Sequence, residues 1–153
     1  MSRHVLVPID GSRPARAALD HVIEQFPDAE LTLLYVVDPM ADYSRHLAFP
    51  GYTAEDEYSS EREKGEAVLE AARENAESAR EDSSGDTRIQ TAIEVGSPGR
   101  TIVEYADAHD VDGIVLGSHG REGAARVLLG SVAEEVVRRS GVPVTIVRGE
   151  APS

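Results

Sequence analysis

The sequence predicts an open α/β fold in which five parallel strands form one sheet with helices on both faces. Three observations carry this. Short apolar, β-branched runs alternate along the 153 residues with longer segments whose apolar residues recur at helical spacing. Two of the runs, Leu31 to Val37 and Gly113 to Leu116, are apolar almost without a break, the pattern of strands covered on both sides. The segments between runs are long enough for helical crossovers, which are right-handed when they join parallel strands. A chain of this length suits one domain, which buries roughly two-thirds of its unfolded surface.

His4 to Ile9 reads as the first strand. Ser12 follows as a helix N-cap, with Pro14 in the first turn. Ala15, Ala18, Leu19, Val22, Ile23 and Phe26 then fall on one helical stripe that Pro27 and Asp28 stop. The second strand, Leu31 to Val37, leaves the sheet at Asp38-Pro39. After a stretch without a clear pattern, a charge-rich helix is expected from about Ala54 to Arg80. Val68, Ala72, Ala76 and Ala79 would be its buried side and Glu66, Glu70 and Glu74 its solvated face. Ser83 to Asp86 reads as a turn.

Ile89, Thr91, Ile93 and Val95 alternate with Arg88, Gln90, Ala92 and Glu94, the period of a half-exposed edge strand. Ser97-Pro98 opens the third helix, which turns Ile102, Val103 and Ala106 inward and ends at His109-Asp110. The fourth strand is Gly113 to Leu116. The last helix is expected from Ser131 to Ser140, with Ser131 and Glu134 at the spacing of a capping box and Gly141 closing it. Val142 to Val147 is the fifth strand.

Between the fourth strand and the last helix lies the most informative stretch, Gly117 to Ser131. Gly117 and Gly120 allow the backbone to approach a ligand and turn its N–H groups toward it, while Gly130 and Ser131 bring the orphan donors of a helix start. Such a pair of elements holds phosphate.

The spacing Gly117-x2-Gly120-x9-Gly130-Ser131 resembles the nucleotide-binding signature of the universal stress protein family. Val5 to Ser12 resembles that family's first strand and turn, and Leu33 to Asp38 its second strand. The resemblance implies strand order 3-2-1-4-5, a Rossmann-like arrangement of the adenine nucleotide alpha hydrolase-like kind. In that order the first and fourth strands meet where the winding reverses, the place where ligands bind in open α/β sheets. It also implies a nucleotide site: Pro8, Ile9, Val36 and Leu116 around a base; Asp10 toward the nucleoside or a magnesium ion; Gly117, Gly120, Gly130, Ser131 and Val132 at the phosphates. Arg121 would steady phosphate oxygens, and His119 would contribute backbone rather than ring.

The implied ligand is ATP, or ADP or AMP, with magnesium or manganese carried by the phosphates and Asp10 the one protein group near enough to share it. The implied assembly is a homodimer through the apolar fifth strand, Val142 to Val147. The reading is a stress-response regulator; the alternatives are a slow ATPase or nucleotidyl-transferring enzyme, and a dimeric adaptor that holds no nucleotide.

Other classes are disfavoured by what the sequence contains. There is no Gly-x4-Gly-Lys-Ser/Thr, no Gly-x-Gly-x-x-Gly after the first strand, and no cysteine. His109, Asp110 and Asp112 look like metal ligands but precede the fourth strand, at the end of the sheet away from the crevice. With 28 acidic against 15 basic residues, a formal charge of −13 repels nucleic acid and acidic membrane surfaces. Lys64 is the only lysine; arginine for lysine together with an acidic excess suggests a halophilic, salt-rich setting. No run approaches a membrane span, so a cytoplasmic protein is expected.

Overall fold

A computed structural model describes residues 3–39, 54–80, 88–118 and 129–148, with 54–59 as backbone only. The elements are β1 (His4–Pro8), α1 (Arg13–Gln25), β2 (Glu30–Val37), α2 (Ala54–Ala79), β3 (Ile89–Val95), α3 (Pro98–Ala108), β4 (Gly113–Ser118), α4 (Ser131–Arg139) and β5 (Val144–Arg148). All strand pairs are parallel, and the order is β3-β2-β1-β4-β5, as expected.

Two apolar layers sandwich the sheet. On one face, Leu19 and Val22 of α1 and Leu69 and Ala76 of α2 pack on Val5, Val7, Leu31 and Leu33. On the other, Ile102 and Ala106 of α3 and Ala133 and Val136 of α4 pack on Leu6, Leu34, Ile114 and Leu116. The alternation along each strand divides its side chains between the two layers, which is why the inner runs are apolar almost throughout. No described helix is long and apolar enough to cross a membrane.

The α2 stripe differs from its expected phase. Gly65, Leu69, Ala72 and Ala76 are buried with Arg80, Val68 is half-buried, and Ala79 faces solvent. Tyr35 of β2 sets that phase: its ring lies where a Cβ on Gly65 would be, 2.6 Å from the ring carbon. Arg80 closes the helix by donating from Nη1 to the Ala29 carbonyl and from Nη2 to the Phe26 carbonyl, both at 2.8 Å. Burial pulls its guanidinium pKa below the ordinary value, and Asp28 acts against that. Arg80 thus pins α2 to the turn between α1 and β2.

Three helix ends also depart from expectation. Gly130, not Ser131, is the N-cap of α4, so Ser131 is the first helical residue and makes no capping box with Glu134. At its other end Gly141 does not adopt positive φ; the Ser140 hydroxyl donates to the Val142 carbonyl (2.7 Å) and accepts from its N–H (3.0 Å). Ser97 is the N-cap of α3 but makes no side-chain hydrogen bond there. The expected cap at Ser12 is present, its hydroxyl accepting from the Ala15 N–H at 3.3 Å. Strand five starts at Val144, two residues later than expected, because Pro143 precedes it and only its carbonyl joins the ladder, accepting from Ile114 N–H at 2.9 Å.

Candidate functional site

A crevice opens where β1 and β4 part. They pair only at Val5 with Gly113 and Leu6 with Ile114, although β4 continues to Ser118 and β1 to Pro8. Beyond the last pair no ladder pairing joins the two strands among the described residues, and their carboxyl ends face a cleft of about 140 Å³. An engineered cavity of about 150 Å³ takes one benzene ring, so the slot suits a flat ring system with its substituents left outside.

Pro8, Ile9, Asp10, Val36, Leu116, Gly117 and Val132, all expected at a site, line this cleft together. Gly130 and Ser131 sit at the start of the same helix as Val132. His119, Gly120 and Arg121 lie outside the described residues, as do the turn at Ser83 to Asp86 and most of the stretch after Pro39. Ala15, Leu34, Pro98 and Ile102 also line the cleft and were read only as core or cap. No sequence signal separates them from core, because the floor of the cleft is the α3–α4 layer itself.

Each element brings a different chemistry. Asp10 accepts from the Ser12 N–H at 2.9 Å through Oδ1, forming a turn over Gly11, whose φ of +85° favours glycine. The carboxylate is exposed and lines the cleft mouth. Gly117 answers to packing: a Cβ there would lie 2.3 Å from the backbone carbonyl of Pro14, in the first turn of α1. The glycine therefore lets β4 pass close under α1 at the cleft wall.

The edge of β2 supplies a donor and an acceptor. Glu30 donates its N–H to Arg3, and Leu34 accepts from Ile9 N–H at 2.8 Å, so the even-numbered residues of β2 direct their peptide groups toward β1. Val36 is the next in that series, and β1 has ended before reaching it. Among the described residues no backbone bond from the β1 side reaches Val36. Its N–H and C=O thus border the cleft on the side where the ladder stopped.

Gly130 has no side chain with which to cap α4, and among the described residues no side chain caps the N–H groups of its first turn, at the positive end of the helix dipole. Glu134 N–H is the first to bond within the helix, to Gly130 at 2.9 Å. The arrangement fits a planar heterocycle in the slot with an anionic group at α4. Among the described residues there is no cluster of three or more metal-ligating side chains.

The His109 region is a structural joint. Asp112 accepts from His4 N–H at 2.8 Å through Oδ2 and donates its own N–H to the His4 carbonyl at 2.7 Å. His109 stacks on Tyr105 with centroids 3.8 Å apart, and its Nδ1 lies 3.0 Å from the Tyr105 carbonyl.

Residues 1–148 match the model of the universal stress protein family. Universal stress protein MJ0531 of Methanocaldococcus jannaschii is 34% identical, over 95% of this chain and 82% of its own length. The structure of protein MJ0577 from the same organism covers 100% of this chain and 99% of its own, with 32% identity and a TM-score of 0.68. A universal stress protein solved in complex with cAMP is 29% identical, with a TM-score of 0.67 over 97% of this chain and 98% of its own.

Proposed function

The chain belongs to the universal stress protein family, and from that premise we propose that it is a single-domain cytoplasmic regulator that binds an adenine nucleotide between β1 and β4. The observation that carries this reading is the ring-sized apolar slot lined by Pro8, Val36 and Leu116, opening onto the uncapped start of α4. The base occupies the slot. The exposed peptide edge of Val36 offers an acceptor to the adenine 6-amino group and a donor to N1, a pairing that needs no side chain. The phosphates lie at Gly130, Ser131 and Val132, joined by Gly120, Arg121 and the backbone of His119. The relative solved with cAMP supports an adenine nucleotide over other anions of similar size.

ATP must approach a chain of charge −13, so magnesium or manganese bound to its phosphates offsets the repulsion, with Asp10 near enough to contribute. Calorimetric titration with AMP, ADP and ATP, each with and without magnesium, tests the assignment. We expect saturable binding of one nucleotide per chain, with ATP binding weakened when magnesium is withheld. Absence of heat and of bound nucleotide in all six titrations would sink the reading and favour an adaptor. Steady release of ADP from the ATP titrations would move it toward a slow ATPase.

The homodimer is proposed through β5, the sheet edge opposite β3. Register decides how to test it. Ile114 donates to Pro143, so residues 143, 145 and 147 face β4 while Val144, Ile146 and Arg148 present their peptide groups outward. A proline at Thr145 would break the sheet itself. Ile146→Pro deletes an outward N–H and spares the β4 ladder. Light scattering should give a dimer mass for the native chain and a monomer mass for Ile146→Pro; a variant that stays dimeric removes β5 from the interface.

A salt-adapted surface is proposed from the same charge. At about 1 M salt the Debye length falls to about 3 Å, which screens self-repulsion across the acidic helices. The thermal midpoint should rise between dilute buffer and molar potassium chloride. A flat or falling midpoint counts against halophilic adaptation and leaves the fold untouched.

A further inference from the structure

A second cavity lies on the opposite face of the sheet from the cleft, between α1 and α2. Its open volume is about 230 Å³, larger than a benzene-sized cavity. Leu19, Val68 and Ala72 form an apolar floor, and the short side chains of Ala71 and Ala72 on α2 leave the space above it unfilled. It shares Ile9 and Ala15 with the nucleotide cleft but none of the residues around the proposed phosphate position.

The polar part of the wall offers donors from three side chains. Ser12 uses its oxygen to accept from Ala15 N–H, leaving its own proton to donate. Arg16 and Asn75 complete the wall, and among the described residues neither side chain has a hydrogen bond or an ion pair. The case of Arg16 is informative because Asp20 stands four residues on, at pairing distance along the helix. Arg62, Arg73, Arg100, Arg138 and Arg139 each pair with a glutamate one turn away, at 3.1 to 3.5 Å. Arg16 forgoes that pairing and stands at the rim of the cavity.

An apolar floor of more than one ring, bounded by a guanidinium, an amide and a hydroxyl, selects a body without charge and a head that accepts hydrogen bonds. In a chain of charge −13 an anion seated directly on such a guanidinium offsets the general repulsion by a charge-assisted contact. We infer that the α1–α2 cavity is a second ligand site, for a small aromatic or aliphatic carboxylate whose carboxylate meets Arg16 and whose apolar body lies on Leu19, Val68 and Ala72. This site is independent of nucleotide binding and stands or falls separately.

The test follows the methyl resonances of Leu19 and Val68, with those of Leu116 and Val132 as reporters of the nucleotide cleft, during titration with phenylacetate and with 2-phenylethanol. Phenylacetate should shift the first pair saturably and leave the second pair in place. The neutral alcohol should bind about tenfold more weakly, a difference of about 1.4 kcal/mol. Arg16→Gln should abolish that preference. Ala71→Leu, at the exposed rim of the cavity, should remove binding of both compounds while the thermal midpoint is kept. Shifts confined to Leu116 and Val132, no saturable shift at all, or a preference for phenylacetate that survives Arg16→Gln would each overturn the assignment.

Discussion

Gly117→Ala is expected to cost about 3 kcal/mol of stability, the upper part of the range for overpacking a close-packed site, and to abolish nucleotide binding with it. The added Cβ would lie 2.3 Å from both C and O of Pro14 and 2.6 Å from its Cβ. Two of those three atoms are backbone in the first turn of α1, so no rotamer change relieves the contact. Either β4 sinks away from α1 or the first turn of α1 lifts, and both motions distort the wall shared by Pro8, Asp10 and Leu116. Removing the Pro14 ring does not help, and Gly117→Ala with Pro14→Ala should be as unstable as Gly117→Ala alone. The control is on the same strand: a Cβ at Gly113 meets only the Pro143 carbonyl, at 3.5 Å, an ordinary contact. Gly113→Ala should therefore fall within about 1 kcal/mol of the native chain, since a compatible replacement of glycine lowers unfolded-state entropy. Chemical denaturation of the three variants checks this. Equal stability of Gly117→Ala and Gly113→Ala would show that β4 does not run this close to α1.

The fold was legible because its signals are redundant. Each inner strand is a nearly continuous apolar run, and α1 and α3 carry full-width stripes, so a shift of one residue would bury charge. Where redundancy is missing, reading failed in characteristic ways. In α2 alanines are so frequent that their spacing defines several equivalent faces. The phase is chosen by Tyr35 lying over Gly65 and by Arg80 reaching Phe26 and Ala29, contacts distant in sequence. At α4 two adjacent residues, Gly130 and Ser131, are both good N-caps, and a Ser-x-x-Glu pattern arises whether or not the serine is the cap.

The candidate site divides in the same manner. Residues at or just past the carboxyl ends of strands, such as Pro8, Asp10 and Gly117, were legible because a strand interior has few reasons to carry those types. Leu34 and Ile102 were not, since an apolar residue in a cleft floor and one in a core have identical sequence signatures. The peptide edge of Val36 has no sequence signature of any kind: it arises because β1 stops at Pro8 while β2 continues to Val37. The consequence of the misplaced cap is functional. Since Gly130 caps α4, the Ser131 hydroxyl is not needed for helix stability, and its loss should act on the ligand alone.

Filling the slot should have the largest effect on nucleotide binding of any change that leaves the fold intact, and Val36→Phe is the variant that isolates it. Val36 is half-buried, its side chain belongs to the α3–α4 layer and the cleft, and an aromatic residue suits a strand. The cleft holds about one ring, so a phenyl group at this position occupies the volume proposed for the base. AMP affinity should fall at least about a hundredfold, about 2.7 kcal/mol, while stability changes by less than about 1.5 kcal/mol. The backbone of Val36 persists in the variant, so its share is measured from the ligand side. Purine riboside monophosphate keeps the N1 acceptor of AMP but lacks the 6-amino donor to the Val36 carbonyl. It should bind the native chain about tenfold more weakly than AMP, and equally poorly to Val36→Phe. Calorimetry with both ligands and both proteins completes the cycle. If Val36→Phe binds AMP as the native chain does, the base lies outside the β1–β4 crevice; if the two ligands bind the native chain alike, the base is in the slot without using the edge of β2.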